Sequence, residues 1–243
     1  MKIKFAVRSE TGYVRTNNED NFFCNGVFMA SSGNIFLKGI VETSCIFAVC
    51  DGMGGEALGD FSALTTVALL AEYADEIQNG LVNEFIKEIN RKLHVLGVST
   101  GTTLAMVVIK EDSFIAYNLG YSRIYRKENG RLLRITDDHT VAEDKIRMGI
   151  LTPKQAERSR ERNILTRYIG MPYDDFMSFP DAYGPYKFDG KILLCSDGLT
   201  DMLSYREISE IVSRSDDSVY ELTEAALKKG GNDNITCLMI NST

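Results

Sequence analysis

Four aspartates, far apart in the sequence, lie where they can form one acidic cluster. Asp51 and Asp197 each end an apolar run and precede a glycine. Asp233 precedes the apolar run 235–240, and Asp20 lies in an acidic segment near the start. Such runs are typical of buried strands, whose ends bring distant carboxylates together. Carboxylates are hard oxygen ligands that suit Mg2+ or Mn2+, so the pattern predicts a divalent-cation site.

Several other hydrolytic designs are excluded by what the chain lacks. It has no Cys-x5-Arg loop and no Asp-x-Asp pair. It has only two histidines, which argues against a zinc site, and we interpret His94 as a helix-surface or boundary residue and His139 as part of a turn. Two-metal hydrolysis remains, in which cations about 3.5 to 4 Å apart acidify a shared water and neutralise a phosphoryl oxygen.

Arg15 is a candidate phosphate-binding residue. It lies three residues before Asn18, close in sequence to Asp20. Its planar guanidinium group can hold a phosphate through two parallel hydrogen bonds. A surface salt bridge is the alternative that the sequence leaves open.

The composition favours a cytoplasmic globular protein. The net charge of −7 opposes binding to nucleic acid and to anionic lipid, so we expect neither as a partner. No apolar run reaches the roughly 20 residues of a membrane span, and the N-terminus lacks a signal-peptide pattern. The five cysteines form no Cys-x-x-Cys pair, and we interpret them as small buried side chains in a reducing compartment.

Hydrophobic periodicity predicts strands alternating with blocks of helices. The predicted strands are 3–8, 21–29, 45–50, 102–109, 113–119, 123–127, 131–135, 191–196 and 235–240. The predicted helices are 59–77, 81–96, 140–148, 205–213 and 217–229, with a short one after Thr152. Tight turns at 110–112 and 127–130 indicate antiparallel hairpins. We therefore predict an α+β fold of two antiparallel sheets packed on each other and covered by helices.

The spread of the aspartates over most of the chain argues for a single domain, 1–243. Within it, the polar stretch 137–185 holds all four prolines and a charged segment around Arg160. We interpret this stretch as a surface lobe.

These residues, in this order, resemble the metal-dependent protein phosphatase family, the type 2C serine/threonine phosphatases, in their compact bacterial form. The motifs that carry the resemblance are Thr11 to Arg15, Asn18 to Asn21, Asp51 to Gly55, Gly101 to Thr103, Leu119 to Tyr125, Asp138 to Thr140, Asn163 to Arg167, Ser196 to Leu199 and Asp233 to Thr236. Together they extend through nearly the whole chain.

The resemblance implies a four-layer α-β-β-α sandwich with two cations, Mn2+ or Mg2+, in a cleft at one end of the sheets. Asp51 would bridge both cations, and the carbonyl of Gly52 would bind one of them. Asp197 and Asp233 would bind the other, and Asp20 would order metal-bound waters or bind directly.

The resemblance also assigns roles beside the cations. Arg15 would hold the substrate phosphate, Glu19 would assist Asp20, and the stretch 137–185 would contain the flap that the family uses in substrate selection.

Three positions depart from relatives of this family. Tyr121 replaces an aspartate that supports a third, weaker cation in bacterial members, so we expect only two ions. Met53 replaces the histidine of many eukaryotic members that is proposed as general acid, so leaving-group protonation would fall to metal-bound water or to the surroundings of the substrate. Glu56 adds a carboxylate near the cleft.

The leading functional hypothesis is metal-dependent hydrolysis of phosphoserine and phosphothreonine in proteins by a hydroxide bridging two cations. The enzyme would be a monomer that opposes a cognate serine/threonine kinase. The alternative, motivated by Tyr121, is a catalytically impaired phosphatase-like module that binds phosphorylated partners without turnover.

Overall fold

The structure is a computed structural model that describes residues 1–42, 44–54, 58–95, 100–171, 178–215 and 217–242. Gly55 and Glu56, which the sequence analysis names, lie outside the described residues. The strands are β1 (Lys2–Glu10), β2 (Asp20–Cys24), β3 (Ile35–Glu42), β4 (Cys45–Met53), β5 (Gly101–Thr102), β6 (Leu104–Lys110), β7 (Ser113–Leu119), β8 (Arg123–Glu128), β9 (Arg131–Arg134), β10 (Asp181–Lys187), β11 (Lys191–Cys195) and β12 (Ile235–Ser242). The helices are α1 (Gly59–Glu72), α2 (Ala74–Gln78), α3 (Val82–His94), α4 (Val141–Arg147), α5 (Pro153–Ala156), α6 (Asp197–Met202), α7 (Tyr205–Arg214) and α8 (Ser218–Lys228), with a 3-10 helix at Arg160–Asn163.

The strands form two antiparallel sheets. The first sheet has the strand order β3-β1-β12-β11-β8-β9, and the second has the order β10-β7-β6-β4-β2, with β5 paired to the end of β4. Both predicted hairpins are present, because β6 pairs with β7 and β8 with β9 in antiparallel register. The prediction of two antiparallel sheets in an α+β fold is confirmed.

The apolar run of β4 is unbroken because both of its faces are covered. Phe47 and Val49 pack in the core between the two sheets. Ile46 and Ala48 pack with helical side chains on the outer face. Side chains alternate along a strand, so covering both faces requires apolar residues at every position. Asp51 shares the alternation of Phe47 and Val49, which directs its side chain to the end of the space between the sheets.

Helices cover the outer face of each sheet and complete the four-layer α-β-β-α arrangement. Val67 of α1 and Phe85 of α3 pack against the second sheet. Ile208 of α7 and Leu222 of α8 pack against the first sheet. All five cysteines are buried and unpaired, as predicted. Among the described residues, no helix has the length and apolar content needed to cross a membrane.

Several elements differ from the sequence prediction for local reasons. The predicted strand 21–29 ends at Cys24, because Asn25 and Gly26 turn the chain with φ values of 48° and 97°. The predicted helix 59–77 divides into α1 and α2 at Tyr73, where the backbone has φ −100° and ψ 16°.

Strands β3 and β10 are absent from the sequence prediction. β3 has an exposed face on which charged and apolar residues mix, and β10 contains Gly184 and Pro185, which are typical of turns. In the stretch 137–185, the helical part covers residues 141–163, and Asp181 already begins β10, which pairs with β7.

Candidate active site: a carboxylate cluster at one end of the sandwich

Asp20 and Asp51 are brought side by side by the pairing of β2 with β4. They are direct partners in the antiparallel register. Phe22 and Cys24, which alternate with Asp20 along β2, pack between the sheets, so Asp20 is directed into the same space as Asp51. Two residues separated by 31 positions thus meet at the end of the sandwich.

Asp197 and Asp233 approach from the first sheet. Asp197 is the first residue of α6, two residues after the end of β11, and Asp233 lies two residues before the start of β12. The carboxyl groups of Asp51 and Asp197 lie close enough that the charge of Asp197 raises the pKa of Asp51. The sequence-predicted cluster of four aspartates is therefore assembled in the fold.

The electrostatics of the cluster oppose its negative charge. Burial is the largest cause that raises the pKa of Asp20 and of Asp197, each to about 7. The pKa of Asp51 lies well above its usual range, because of burial and then repulsion by Asp197, Asp20 and Asp233. Carboxyl groups that suppress one another's ionisation are stabilised in their charged form by a bound cation.

Hydroxyl groups hold two of the aspartates in place. Ser196 Oγ donates to Asp20 Oδ2 at 2.7 Å. Thr103 Oγ1 accepts the backbone N–H of Asp51 at 3.0 Å, and Thr102 Oγ1 donates to the carbonyl of Asp51 at 2.9 Å. Ser196, Thr102 and Thr103 lie within the motifs quoted above, but no role was predicted for them. The sequence feature that could have indicated them is a serine or threonine next to a motif that ends a strand.

Glycines permit close backbone packing beside the cluster. A Cβ atom on Gly52 would overlap the carbonyl of Gly59 and lie 2.7 Å from the carbonyl oxygen of Glu19. A Cβ atom on Gly198 would overlap the carbonyl of Asn234. Glycine is required at both positions because a larger residue would push the segments that carry the aspartates apart.

Arg15 lies at the mouth of the cluster. Its Nη2 donates to Asp233 Oδ2 at 2.7 Å, and about half of its side chain is exposed. The charges of Asp233, Glu19 and Asp197 raise the pKa of Arg15 against the opposing effect of burial, which is the largest single influence. In the protein without bound ions, this guanidinium group is the counter-charge of the cluster.

Tyr121 projects its hydroxyl group into the cluster, which the sequence analysis does not anticipate. The hydroxyl donates a hydrogen bond to the carboxylate of Asp197. Burial, followed by the charges of Asp51 and Asp197, holds the pKa of Tyr121 well above its usual range, so the phenol stays neutral. Tyr121 and Asp197 also line a cavity of about 590 Å³ that extends beneath α4 and α5.

The carboxylate oxygens of the four aspartates are suitable ligands for divalent cations, although in this structure they contact other side chains of the site. Within the described ranges, no three His, Cys, Asp or Glu side chains are arranged as a ready set of ligands for one ion. Their oxygens instead accept hydrogen bonds from Ser196, Tyr121 and Arg15. The oxygen-only chemistry and the mutually raised pKa values match Mg2+ or Mn2+.

A family model described as protein phosphatase 2C matches residues 36–239. The serine/threonine phosphatase stp of Listeria monocytogenes is 30% identical over 252 residues, which cover 96% of this chain and 93% of that protein. The fold and the carboxylate cluster define a phosphatase of the type 2C class. The chain belongs to the protein phosphatase 2C family, and the prediction of a serine/threonine protein phosphatase is confirmed.

Solved structures of bacterial phosphatases share the fold. The serine/threonine phosphatase of S. agalactiae superimposes with a TM-score of 0.83 at 28% identity, covering 99% of this chain and 100% of that one. The catalytic domain of the phosphatase PstP, in complex with two manganese ions, superimposes with a TM-score of 0.77 at 26% identity, covering 99% of each chain. Binding of metal ions is thus a property of this family.

Proposed function

We propose that this chain hydrolyses phosphoserine and phosphothreonine in proteins and that two divalent cations, Mn2+ or Mg2+, are required. When bound, the cations acidify a water molecule and neutralise phosphoryl oxygens. The observation that carries the proposal is the convergence of four aspartates, of which Asp20, Asp51 and Asp197 have pKa values raised by burial and by neighbouring charges. Asp51 would be shared by both ions, with the carbonyl of Gly52 on one of them. Asp197 and Asp233 would bind the other ion, and Asp20 would bind directly or through water.

Arg15 would bind the phosphoryl group of the substrate. Its pairing with Asp233 supports this role, because a cation on the same carboxylate would compete with the guanidinium group. Arg15 then becomes available to an anion arriving from solvent, and its half-exposed position allows that change without unfolding any element.

The proposed substrates are phosphorylated proteins, including those of a cognate serine/threonine kinase. The proposal places a monomeric enzyme, with one domain over 1–243 and a flap-like segment within 137–185, in the cytoplasm. The helices α4 and α5, which roof the cavity next to Asp197, support the flap assignment.

Hydrolysis of a phosphothreonine peptide tests this function. We expect phosphate release by the wild type with Mn2+, none after chelation, and a loss of at least about 100-fold in Asp197→Asn, because even groups that only support a metal ligand contribute 10- to 100-fold. The control is Asp189→Asn, since Asp189 is largely exposed and pairs with Lys187. Tight peptide binding by the wild type without phosphate release would instead favour the phosphate-binding module.

We further propose that Tyr121 leaves the chain without the third cation of its relatives. Its neutral hydroxyl donates to Asp197, whereas a cation requires an acceptor with negative charge. Calorimetric titration with Mn2+ is expected to give two sites in the wild type and in Tyr121→Phe, and an additional weaker site in Tyr121→Asp. A third site in the wild type would contradict this prediction.

A further inference from the structure

His139 is the centre of a buried hydrogen-bond network outside the carboxylate cluster. Its side chain is 1% exposed. The backbone N–H of Gly120 donates to His139 Nδ1 at 3.0 Å, and the backbone N–H of His139 donates to the carbonyl of Gly120 at 2.9 Å. A backbone N–H can only donate, so Nδ1 is unprotonated and the ring proton is on Nε2. His139 thus holds Gly120 from two directions.

The second ring nitrogen connects His139 to the end of the helical segment. Nε2 donates to Asp181 Oδ2 at 3.0 Å, and Asp181 Oδ1 accepts both Arg167 Nη1 and Arg167 Nη2 at 3.0 Å. Arg167 also donates to the carbonyl of Phe179. Asp181 begins β10, while Arg167 lies just after the helical stretch 141–163. The imidazole therefore bridges this stretch and the turn at Gly120.

The turn at Gly120 is equally constrained on its other side. Gly120 has φ +109°, and a Cβ atom there would lie 2.7 Å from the side chain of Thr103. The hydroxyl groups of Ser122 and Thr103 are 2.6 Å apart, and Thr103 Oγ1 accepts the N–H of Asp51. Between Gly120 and Ser122 lies Tyr121, whose hydroxyl reaches the cluster. The orientation of Tyr121 is thus set by contacts on two sides of the turn, with His139 on one side and Thr103 on the other.

We propose that His139 is a positioning residue for the active site. It holds the turn at Gly120 so that the hydroxyl group of Tyr121 meets Asp197, and it couples Arg167 and Asp181 to that contact. The kinetic readout rests on the proposed phosphatase function, whereas the Mn2+-binding readout does not.

Two substitutions separate the two bonds of the imidazole. His139→Phe preserves the ring shape and removes both bonds. In His139→Asn, the side-chain oxygen can take the place of Nδ1 and accept from Gly120, but no group reaches Asp181. We expect kcat on a phosphothreonine peptide to fall about 10- to 100-fold in His139→Phe, as for other groups that orient metal ligands. KM should change less than twofold, and His139→Asn should recover most of kcat.

A double-mutant cycle with Tyr121→Phe tests the coupling directly. If His139 acts through Tyr121, then His139→Phe/Tyr121→Phe loses no more kcat and Mn2+ affinity than the more damaged single variant. The control is His94→Phe, because His94 ends α3 and contacts the carbonyl of Met171 at 2.8 Å, away from the turn. We expect this control to leave kcat and Mn2+ affinity unchanged.

Each outcome decides the proposal. Additive losses in the cycle, or wild-type kcat and Mn2+ affinity in His139→Phe, would overturn it. If His139→Phe does not fold, His139→Leu replaces it in the cycle, since a smaller apolar side chain also removes the bonds to Gly120 and Asp181. If neither the wild type nor any variant releases phosphate, the proposed phosphatase function fails. The Mn2+ affinities of the same variants still show whether the effects of the two substitutions are coupled or additive, so the positioning role of His139 is tested separately.

Discussion

Asp51→Asn is expected to abolish measurable phosphatase activity and to weaken Mn2+ binding at both ion sites. Asp51 lies at the centre of the cluster, because it is the register partner of Asp20 and its pKa is raised by the charges of Asp197, Asp20 and Asp233. An amide has one acceptor oxygen and no charge, so it cannot serve two cations at once. Since outer-shell groups alone contribute 10- to 100-fold to metalloenzyme activity, we expect kcat/KM to fall by more than about 100-fold.

Calorimetry with Mn2+ and phosphate release from a phosphothreonine peptide measure this effect in the same preparation. Asp189→Asn, at an exposed site two residues after the end of β10, is the matched substitution and should behave as the wild type. Unfolding should not explain the loss, because removing a carboxylate relieves repulsion within the metal-free cluster. Retention of two Mn2+ sites with full activity in Asp51→Asn would refute the proposed site.

The metal-free protein is expected to lose stability as the pH rises through about 7. Asp20 and Asp197 have pKa values raised from 3.8 to about 7 in the folded protein. The folded state therefore binds protons more tightly than the unfolded state between these values. The resulting contribution is fully present below pH 3.8 and is lost as the pH rises through about 7. Thermal unfolding of chelated protein at pH 5.5 and pH 8 measures it.

Mn2+ should reverse this loss at pH 8, where it replaces the missing protons as the counter-charge of the carboxylates. At a concentration 100 times the Kd, binding stabilises by about 2.7 kcal/mol. For a chain of this size, each kcal/mol raises Tm by about 2 to 4 °C, so we expect Tm to increase by about 5 to 10 °C. Asp20→Asn/Asp197→Asn should lose both the pH dependence and the response to Mn2+. If the Tm of the metal-free wild type changes with pH no more than the Tm of this variant does, the electrostatic explanation is ruled out.

The acidic cluster is the part of the site that the sequence predicts best. Asp51 and Asp197 each follow an apolar run, and such runs form strands whose ends lie at the edge of a core. This information is local, because hydrophobic periodicity depends on near neighbours in the chain. The short turns at 110–112 and 127–130 predicted two hairpins for the same reason, and both are present.

Other features of the site depend on contacts between residues that are far apart. Tyr121 meets Asp197 only because β11 pairs with β8, and no pattern near Tyr121 indicates that partner. The pairing of Arg15 with Asp233 spans 218 positions and leaves Arg15 at the mouth of the cluster. Strand register decides such contacts, and a shift of one residue would turn each side chain to the other face.

The fold class and the aspartates at strand ends are predictable from the sequence, because apolar runs and the glycines beside them are local properties. The family is indicated by the resemblance of the motifs and their order. The groups that surround those aspartates depend on contacts between distant parts of the folded chain. The hydroxyl of Tyr121 and the imidazole of His139 acquire their roles from antiparallel pairing across the two sheets. Burial in that packing, absent from the unfolded chain, then raises the pKa values that make the cluster require cations.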